Sequence, residues 1–403
     1  MNIFLIGNGF DLHHHFPTNY LDFLHTIRFL IEHYDDSFDT VGKILGNPEL
    51  RGRNSFINEC YDKHAHIYDS TPLPTTVAKD IIVKAEKNLW FNYLYQCVPQ
   101  NIHWIDFEQK ILRVLEAFSA LFKHESKFSY SENHLTFDFS ACPPNPEDRH
   151  ILSQFDFFFE ETVESRIGRA WMMQIKSAYV TENVVGSGSY HLAIDEIVSN
   201  LYSALRELAD VLRQYLLYFV DVPAKEYAKL DAKPHWASLP KPNYVYSFNY
   251  TSTLETFYSD NVVDHIHGST NSNIVLGINP DETDELENTD TTFLQFKKYF
   301  QRVFYKTDLS FLKKLRASRT TPGNNDYKLY VIGHSLDSTD EDIIKQVFDV
   351  AKSIIILYHN ESSVKNQIKN LVKIYGKSGL DALRDQKNLQ FLPQAEIQWD
   401  FPH

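Results

Sequence analysis

The pattern of apolar and polar positions separates this 403-residue chain into strand-like ends and a helical middle. Asn2 to Ile6 is a short apolar run stopped by glycine, the pattern of a strand buried on both faces. A helical turn starts near Phe10 and Asp11 and is closed by Pro17, and Thr18 is placed to cap the next helix. Leu24, Ile27, Ile31 and Tyr34 follow at helical spacing and predict a core helix. Residues 35–76 read as irregular, punctuated by Gly42, Gly46, Pro48, Gly52, Pro72 and Pro74. Helix is predicted again over 77–97, and from Trp104, Asp106 and Glu108 onward, with Ile111, Leu115, Phe118 and Phe122 on one face. Acids in a first turn suit the positive end of the helix dipole, so capping is the expected role of Asp106 and Glu108. Residues 123–150 are polar and close on ACPPNPEDR, a linker or exposed loop; helix returns over 154–180. Gly186 to Ser189 forms a flexible break before a long helical pattern from His191 to Val220, and Pro223, Pro234, Pro240 and Pro242 mark the next connection.

After Pro242 the character changes. Tyr244–Phe248, Val262–Ile266 and Ile274–Leu276 read as strands, and Asp281–Asp290 as a solvated acidic loop. Phe293–Arg319 sets Phe296, Phe300 and Phe304 against Lys297, Lys298, Arg302 and Lys306. That spacing predicts an amphipathic helix with a wet basic face; the sharper alternative is a phosphate-facing helix near the first glycine turn. Tyr327–Ile332 is a strand, Ser338 and Glu341 have capping-box spacing, Ile344, Val347, Phe348 and Ala351 line a buried helix face, and Ser353–Tyr358 is a further strand. Strand, helix and strand at this spacing make a βαβ unit with parallel strands. The tail adds one or two helices and a last strand at Glu396–Trp399. The first strand must rejoin the later ones in one sheet. The expected fold is therefore α/β, a Rossmann-like parallel-sheet core of residues 1–19 and 243–403 carrying a mainly helical insertion of residues 20–242.

Composition narrows the function classes. Hydrophobic residues make up 43% and aromatics 14%, enough for a large core. A net charge of −14 argues against nucleic-acid or anionic-membrane binding, which need a dense basic surface. Cys60, Cys97 and Cys142 are far apart and odd in number, which disfavours a disulfide framework and suits a reducing cytoplasm. The apolar start is too short for a signal peptide, and no run matches the roughly 20 apolar residues of a spanning helix.

Candidate chemistry gathers at strand ends. Gly7 and Gly9 bracket a tight turn between strand and helix N-terminus, a combination able to hold an anion on backbone N–H groups. Asn249–Thr251, His267–Ser269 and Gly333–Ser335 also lie just past strands, where open parallel sheets bind ligands. His265 and His267 are i and i+2, so on a strand they share a face and could hold a metal. His13, His14 and His15 are adjacent and cannot chelate one ion together on a helix; His14 or His15 facing the pocket is the better reading.

GNGFDLHHHFPTNYLDF, SFNYTSTLE, DHIHGS and VIGHSLDSTDEDI, in this order, resemble the AbiH family of bacterial phage-defence proteins, with WIDFE as the one familiar patch of the middle. The same order is similar to the wider sirtuin-like NAD-binding fold. Gly7 and Pro17 match its first glycine and proline, Asn249 its asparagine, His267-Gly268 its HG and Gly333-His334-Ser335 its GTS. Thr18-Asn19-Tyr20, Asp11 and His334 depart from that pattern. A sirtuin-type deacylase would need a four-cysteine zinc module that three isolated cysteines cannot build.

The resemblance implies abortive infection and an NAD ligand or substrate, with hydrolysis at the nicotinamide–ribose bond. That bond breaks without a general acid, because the cationic pyridinium leaves as a neutral ring. Asn249 can orient water and ribose hydroxyls, and neutral His267 can act as base. Gly7, Asn8, Gly9, Phe10 and Asp11 would cradle the diphosphate beside Gly268 and Ser269. Gly333, His334 and Ser335 would meet the adenosine side. Asp337 or Asp340 is placed for a ribose hydroxyl, with helix capping the expected role of Asp340. No resident metal is expected. The alternatives are a nucleotide-sensing module without turnover and a metal-dependent phosphohydrolase or nuclease built on His265 and His267. The partners left open are a phage-derived trigger, a second defence protein and another copy of the chain.

Overall fold

A computed structural model describes residues 1–35, 37–98, 106–123, 128–131, 134–138, 146–155, 158–165, 168–175, 177–182, 190–229, 235–236, 239–258, 262–279, 291–307, 310–311, 313, 327–394 and 399–400. The chain opens with β1 (Asn2–Ile6), α1 (Gly9–His13), α2 (Tyr20–His33), α3 (Val41–Leu45), α4 (Pro48–Arg53), α5 (Ser55–Ser70), α6 (Thr75–Lys87), α7 (Leu89–Gln96) and α8 (Asp106–Phe122). Strands β2 (Phe128–Ser131) and β3 (His134–Asp138), α9 (Pro146–Gln154), β4 (Phe158–Ser165), β5 (Gly168–Ile175), β6 (Val180–Glu182) and β7 (Tyr190–Leu192) follow. Then come α10 (Ile194–Leu216), a π-helical turn Leu217–Asp221, α11 (Val222–Ala228), β8 (His235–Trp236), β9 (Tyr244–Ser247), α12 (Thr253–Phe257) and β10 (Val263–His265). The last part holds α13 (Lys298–Tyr305), β11 (Tyr327–Ile332), α14 (Glu341–Val350), β12 (Ala351–Tyr358), α15 (Glu361–Gln386), β13 (Gln390–Pro393) and β14 (Trp399–Asp400).

Six strands form one parallel sheet in the order β10-β9-β1-β11-β12-β13. The N-terminal strand thus sits at its centre, with Ile3 opposite both Tyr244 and Leu329. Its apolar run is explained by cover on both faces. Phe4 and Ile6 join the core built with α2 and α10, whereas Ile3 and Leu5 join Ile343, Val347, Leu371 and Ile374 of α14 and α15. The period of two along a strand divides one sequence between two cores.

Several expectations give way to capping and pairing. Residues 41–70, expected to be irregular, hold the three helices α3, α4 and α5. Thr40 accepts from Lys43 N–H, Asn47 from Glu49 N–H, and Asn54 from the N–H groups of Phe56 and Ile57. The glycines and prolines there punctuate short helices. The start of α2 is closed by Asp22, whose carboxylate accepts the Asn19 N–H, one residue on from Thr18. The polar stretch 123–150 contains β2, β3 and part of α9, and 154–180 contains the hairpin β4–β5 in a four-stranded antiparallel sheet β2-β3-β5-β4. The Phe, Thr and Val content of FFEETVES favours a strand once a partner is present. Pro223 opens α11 within its first turn. Ile274–Leu276 is a buried non-strand segment, and β10 stops at His265. The last paired strands are β13 in the parallel sheet and the short β14, which pairs with β8. Trp104, Gly186–Ser189 and Asp281–Asp290 lie outside the described residues.

The glycine turns meet across the carboxyl ends of the sheet. Gly7 N–H donates to Ile332 O at 3.0 Å, and Gly9 N–H to Gly333 O at 2.8 Å. Gly333 has φ +66°, and a Cβ there would fall 2.3 Å from Phe10 N and 2.6 Å from Gly9 C. Gly333→Ala is therefore expected to destabilise the protein by roughly 2–4 kcal/mol, combining left-handed strain with a backbone clash. Gly52→Ala, with nothing within 4 Å of the added atom, is expected to be neutral or stabilising by up to about 1 kcal/mol. Denaturant midpoints of the two variants check both expectations.

Candidate functional site at the strand ends

Consecutive backbone bonds tie the four strand ends together. Phe248 N–H donates to Ile6 O and Ile266 N–H to Ser247 O, each at 2.9 Å. The Asn249 amide reaches Gly7 O at 3.2 Å. Gly268 takes φ +80°, with Asn273 O packed where a side chain would be, and Val275 N–H donates to His267 O at 2.7 Å. The His267 loop is thereby fixed beside the glycine turns, and the Phe248 ring packs against both His267 (ring centroids 5.1 Å) and His334 (4.3 Å).

Below these rings lies a buried charge cluster assembled from three distant segments. Lys298, at the first turn of α13 and 2% exposed, places its ammonium 2.7 Å from Glu108 Oε1 and 2.9 Å from Asp340 Oδ1. The same Asp340 carboxylate lies 3.4 Å from His267 Nε2 and 3.6 Å from His334 Nε2. His334 Nδ1 accepts from Leu336 N–H at 2.8 Å, so the neutral ring carries its proton on Nε2, facing Asp340. His267 Nε2 and Glu108 Oε2 are buried without a hydrogen-bond partner in the protein. Arg302, one turn beyond Lys298 and 1% exposed, pairs with Asp342.

The electrostatics sort these groups. Burial opposes the charge of Asp340, yet Lys298 and the flanking imidazoles hold its carboxyl well below the usual range. Burial pushes Glu108 up to about 7 against the pull of Lys298. Burial depresses His267 well below an ordinary histidine, with Lys298, Arg302 and His334 adding to the effect and Asp340 opposing it. At neutral pH the site therefore contains an ammonium, an ionised aspartate and a neutral imidazole with an open nitrogen. It can accept a proton and can hold hydroxyls or a cationic ring edge.

The structure redistributes the roles expected from sequence. Gly7, Gly9, Gly333, Asn249, His267, Gly268 and His334 do come together. The space at Gly7 is taken by His334, which a Cβ would approach to 2.6 Å, and that at Gly9 by Gly333. Asn8 turns its amide toward Thr18 O, 3.4 Å away. Phe10 packs against the tilted rings of His14 and Tyr258, and Asp11 accepts from Thr251. Ser269 pairs with Ser272 in an exposed turn, and Ser335 O accepts from the Asn370 amide. Asp337 and Asp340 exchange expectations: Asp337 caps Thr339 N–H at 3.1 Å, whereas Asp340 makes no side-chain cap and enters the cluster. The Ser338–Glu341 capping box does not form, because the chain turns through a 3₁₀ segment at Ser338–Asp340.

Glu108 is likewise a cluster residue and not a cap, because Lys298 takes its carboxylate. Helix α13 is inverted relative to its expected wet basic face. Lys298 and Arg302 point inward to carboxylates, while Tyr299, Val303 and Phe304 are exposed. The helix ends at Tyr305, with Lys306 in the left-handed region. His14 is buried and bonded to Phe10 O, and His15 pairs with Glu59, so neither faces the cluster. His265 brings Nδ1 within 2.8 Å of Asn249 O and Nε2 within 2.6 Å of Glu255. Both nitrogens face acceptors, and the Glu255 bond raises its pKa despite burial, so His265 is a donor with no lone pair free for a metal. Among the described residues the one grouping of ligand atoms suited to an ion is Glu32, His33 and Glu49, exposed and braced by Arg53. The sequence signals for the cluster were the WIDFE patch and the first lysines of the basic–aromatic run, but nothing in their spacing pairs them.

The family model described as Bacteriophage abortive infection AbiH matches residues 3–359. No curated protein and no solved structure matches the chain.

Asp11 offers a pH test of how these strand ends are packed. Burial raises its carboxyl to about 7, with Thr251 and Thr253 opposing and Asp221 and Glu255 adding. A carboxyl with a raised folded pKa is protonated in the native state where the unfolded chain is ionised. Its contribution is present below about pH 4 and is lost as pH rises to about 7. Asp11→Asn is therefore expected to remove that slope and to gain up to about 4 kcal/mol relative to wild type at pH 8. Urea unfolding at pH 4.5 and pH 8 measures the difference; equal pH dependence in both proteins would contradict a buried, protonated Asp11.

Proposed function

The chain belongs to the AbiH family of bacteriophage abortive infection proteins, and we propose that it works there as a sirtuin-like, Rossmann-type nucleotide-binding protein that hydrolyses NAD at the nicotinamide–ribose bond. The observation that carries this reading is the convergence of four sequence-distant strand ends on one buried site, in which His267 keeps an unpartnered, uncharged nitrogen. In the proposed reaction, NAD and water give nicotinamide, ADP-ribose and a proton. The C–N bond electrons return to the pyridinium ring, which leaves neutral. The attacking water forms the new bond at the ribose carbon, and its proton passes to the ring nitrogen of His267 that faces away from Asp340. A depressed pKa keeps His267 in the acceptor state at neutral pH. Asp340, 3.4 Å from Nε2, orients the ring and stabilises the imidazolium that forms. Residues 1–19 and 243–403 form the nucleotide-binding core in this reading, and the intervening residues form the insertion that covers it.

A second reading, nucleotide sensing without turnover, draws on the close packing at Gly7 and Gly9 and on the engaged amide of Asn249. One experiment separates the two. Purified protein is incubated with NAD, NADP and ATP, and both released products and bound species are identified by mass spectrometry. The expected outcome is release of nicotinamide and ADP-ribose from NAD, reduced by about 10²–10⁴-fold in His267→Gln. Intact NAD bound in stoichiometric amount would favour sensing, and neither binding nor release would overturn both. Asn249→Ala is expected to lower turnover and also to cost about 1 kcal/mol of stability through its lost bond to Gly7 O.

A further inference from the structure

The Lys298 cluster contains one ammonium for two carboxylates, and the two carboxylates belong to different parts of the chain. Glu108 stands on α8, between the first and second strands of the sheet in sequence, and Asp340 stands at the start of α14. Lys298 is the link between them, at 2.7 and 2.9 Å. Asp340 is in turn the carboxylate that faces His267. We propose that Glu108 and Lys298 are positioning residues through which the covering helices control how Asp340 engages His267. The proposal gives the insertion a role in the site of the NAD reading, on which its functional meaning rests.

The argument is one of competing partners in a dry site, where Coulomb interactions are strong and removal of a partner leaves its neighbour uncompensated. While Glu108 shares Lys298, the ammonium is not given over to Asp340 alone. Withdrawing Glu108 leaves Lys298 with Asp340 as its single carboxylate, which weakens the hold of Asp340 on His267. Withdrawing Lys298 does the opposite: Asp340 loses its counter-ion and its charge falls on the imidazole. A movement of α8 that parts Glu108 from Lys298 would thus be felt at His267 Nε2. The other groups facing this chain of contacts are His334 and Tyr250 after their strands, Tyr20 on α2, Arg302 on α13 and Asp342 on α14.

The two substitutions are expected to move His267 differently, which a merely structural bridge would not do. The probe is the imidazole ¹⁵N signal of His267 in ligand-free, full-length protein labelled at histidine, followed from pH 5 to 9 and assigned by its loss in His267→Gln. In wild type and in Glu108→Gln, His267 is expected to stay neutral throughout. In Lys298→Met its uptake of a proton is expected to move up by about 1–3 pH units relative to wild type, the span one neighbouring charge imposes on a buried group. Glu108→Gln/Lys298→Met removes one charge of each sign, keeps Asp340 facing the ring and is expected to show the same rise, so it serves if Lys298→Met does not fold. An unchanged His267 in both Lys298 variants, or an upward shift in Glu108→Gln, would overturn the proposal. Because no nucleotide is present, a moved His267 in a protein that releases no nicotinamide would leave the relay standing and remove the NAD reading alone.

Discussion

The constraint on which the molecule depends is the parallel pairing of β1 with β9 on one side and β11 on the other. Residues at the start of the chain must find partners 241 and 326 positions later. Parallel strands need crossover connections, so everything between is obliged to leave the sheet and return to it. The close contacts of Gly7 and Gly9 with the Gly333 loop follow from that pairing, because two adjacent parallel strands end at the same rim. The register also explains the sharp division of the core, with alternate residues of β1 packed under different helices.

A second consequence is electrostatic. Strand ends point polar backbone and loop side chains into a region that α2, α8 and α13 then cover. Such a region is stable only if its charges are paired. Lys298 meets this demand with Glu108 and Asp340, Arg302 with Asp342, and His265 with Glu255. The pairing is incomplete at His267 Nε2 and Glu108 Oε2, and also at Arg302 Nε and Nη1, Asp342 Oδ1 and Glu255 Oε2, which are buried without a hydrogen-bond partner in the protein.

Much of the sheet was legible because its signal is local. Asn2–Ile6, Tyr327–Ile332 and Ser353–Tyr358 are apolar runs bounded by turn residues, and a buried parallel strand needs nothing more to be read. The helices of 35–76 were hidden by the Gly and Pro that separate them, since the same residues mark loops and helix ends. The hairpin β4–β5 was hidden because strand formation there depends on a partner. The inward turn of Lys298 and Arg302 could not be read from α13, whose exposed aromatic stripe runs against the usual division of polar from apolar.

The central strands of the parallel sheet, the candidate histidine and asparagine and the glycine turns were legible in the sequence, because hydrophobic period and backbone freedom act over a few residues. Which carboxylate caps and which enters the site, which histidine is engaged and which is open, and that Glu108, Lys298 and Asp340 form one cluster were decided by tertiary structure alone. The physical reason is that a charge is assigned its role by the partner it meets when water is removed, and these partners lie 42 to 190 positions apart in the chain.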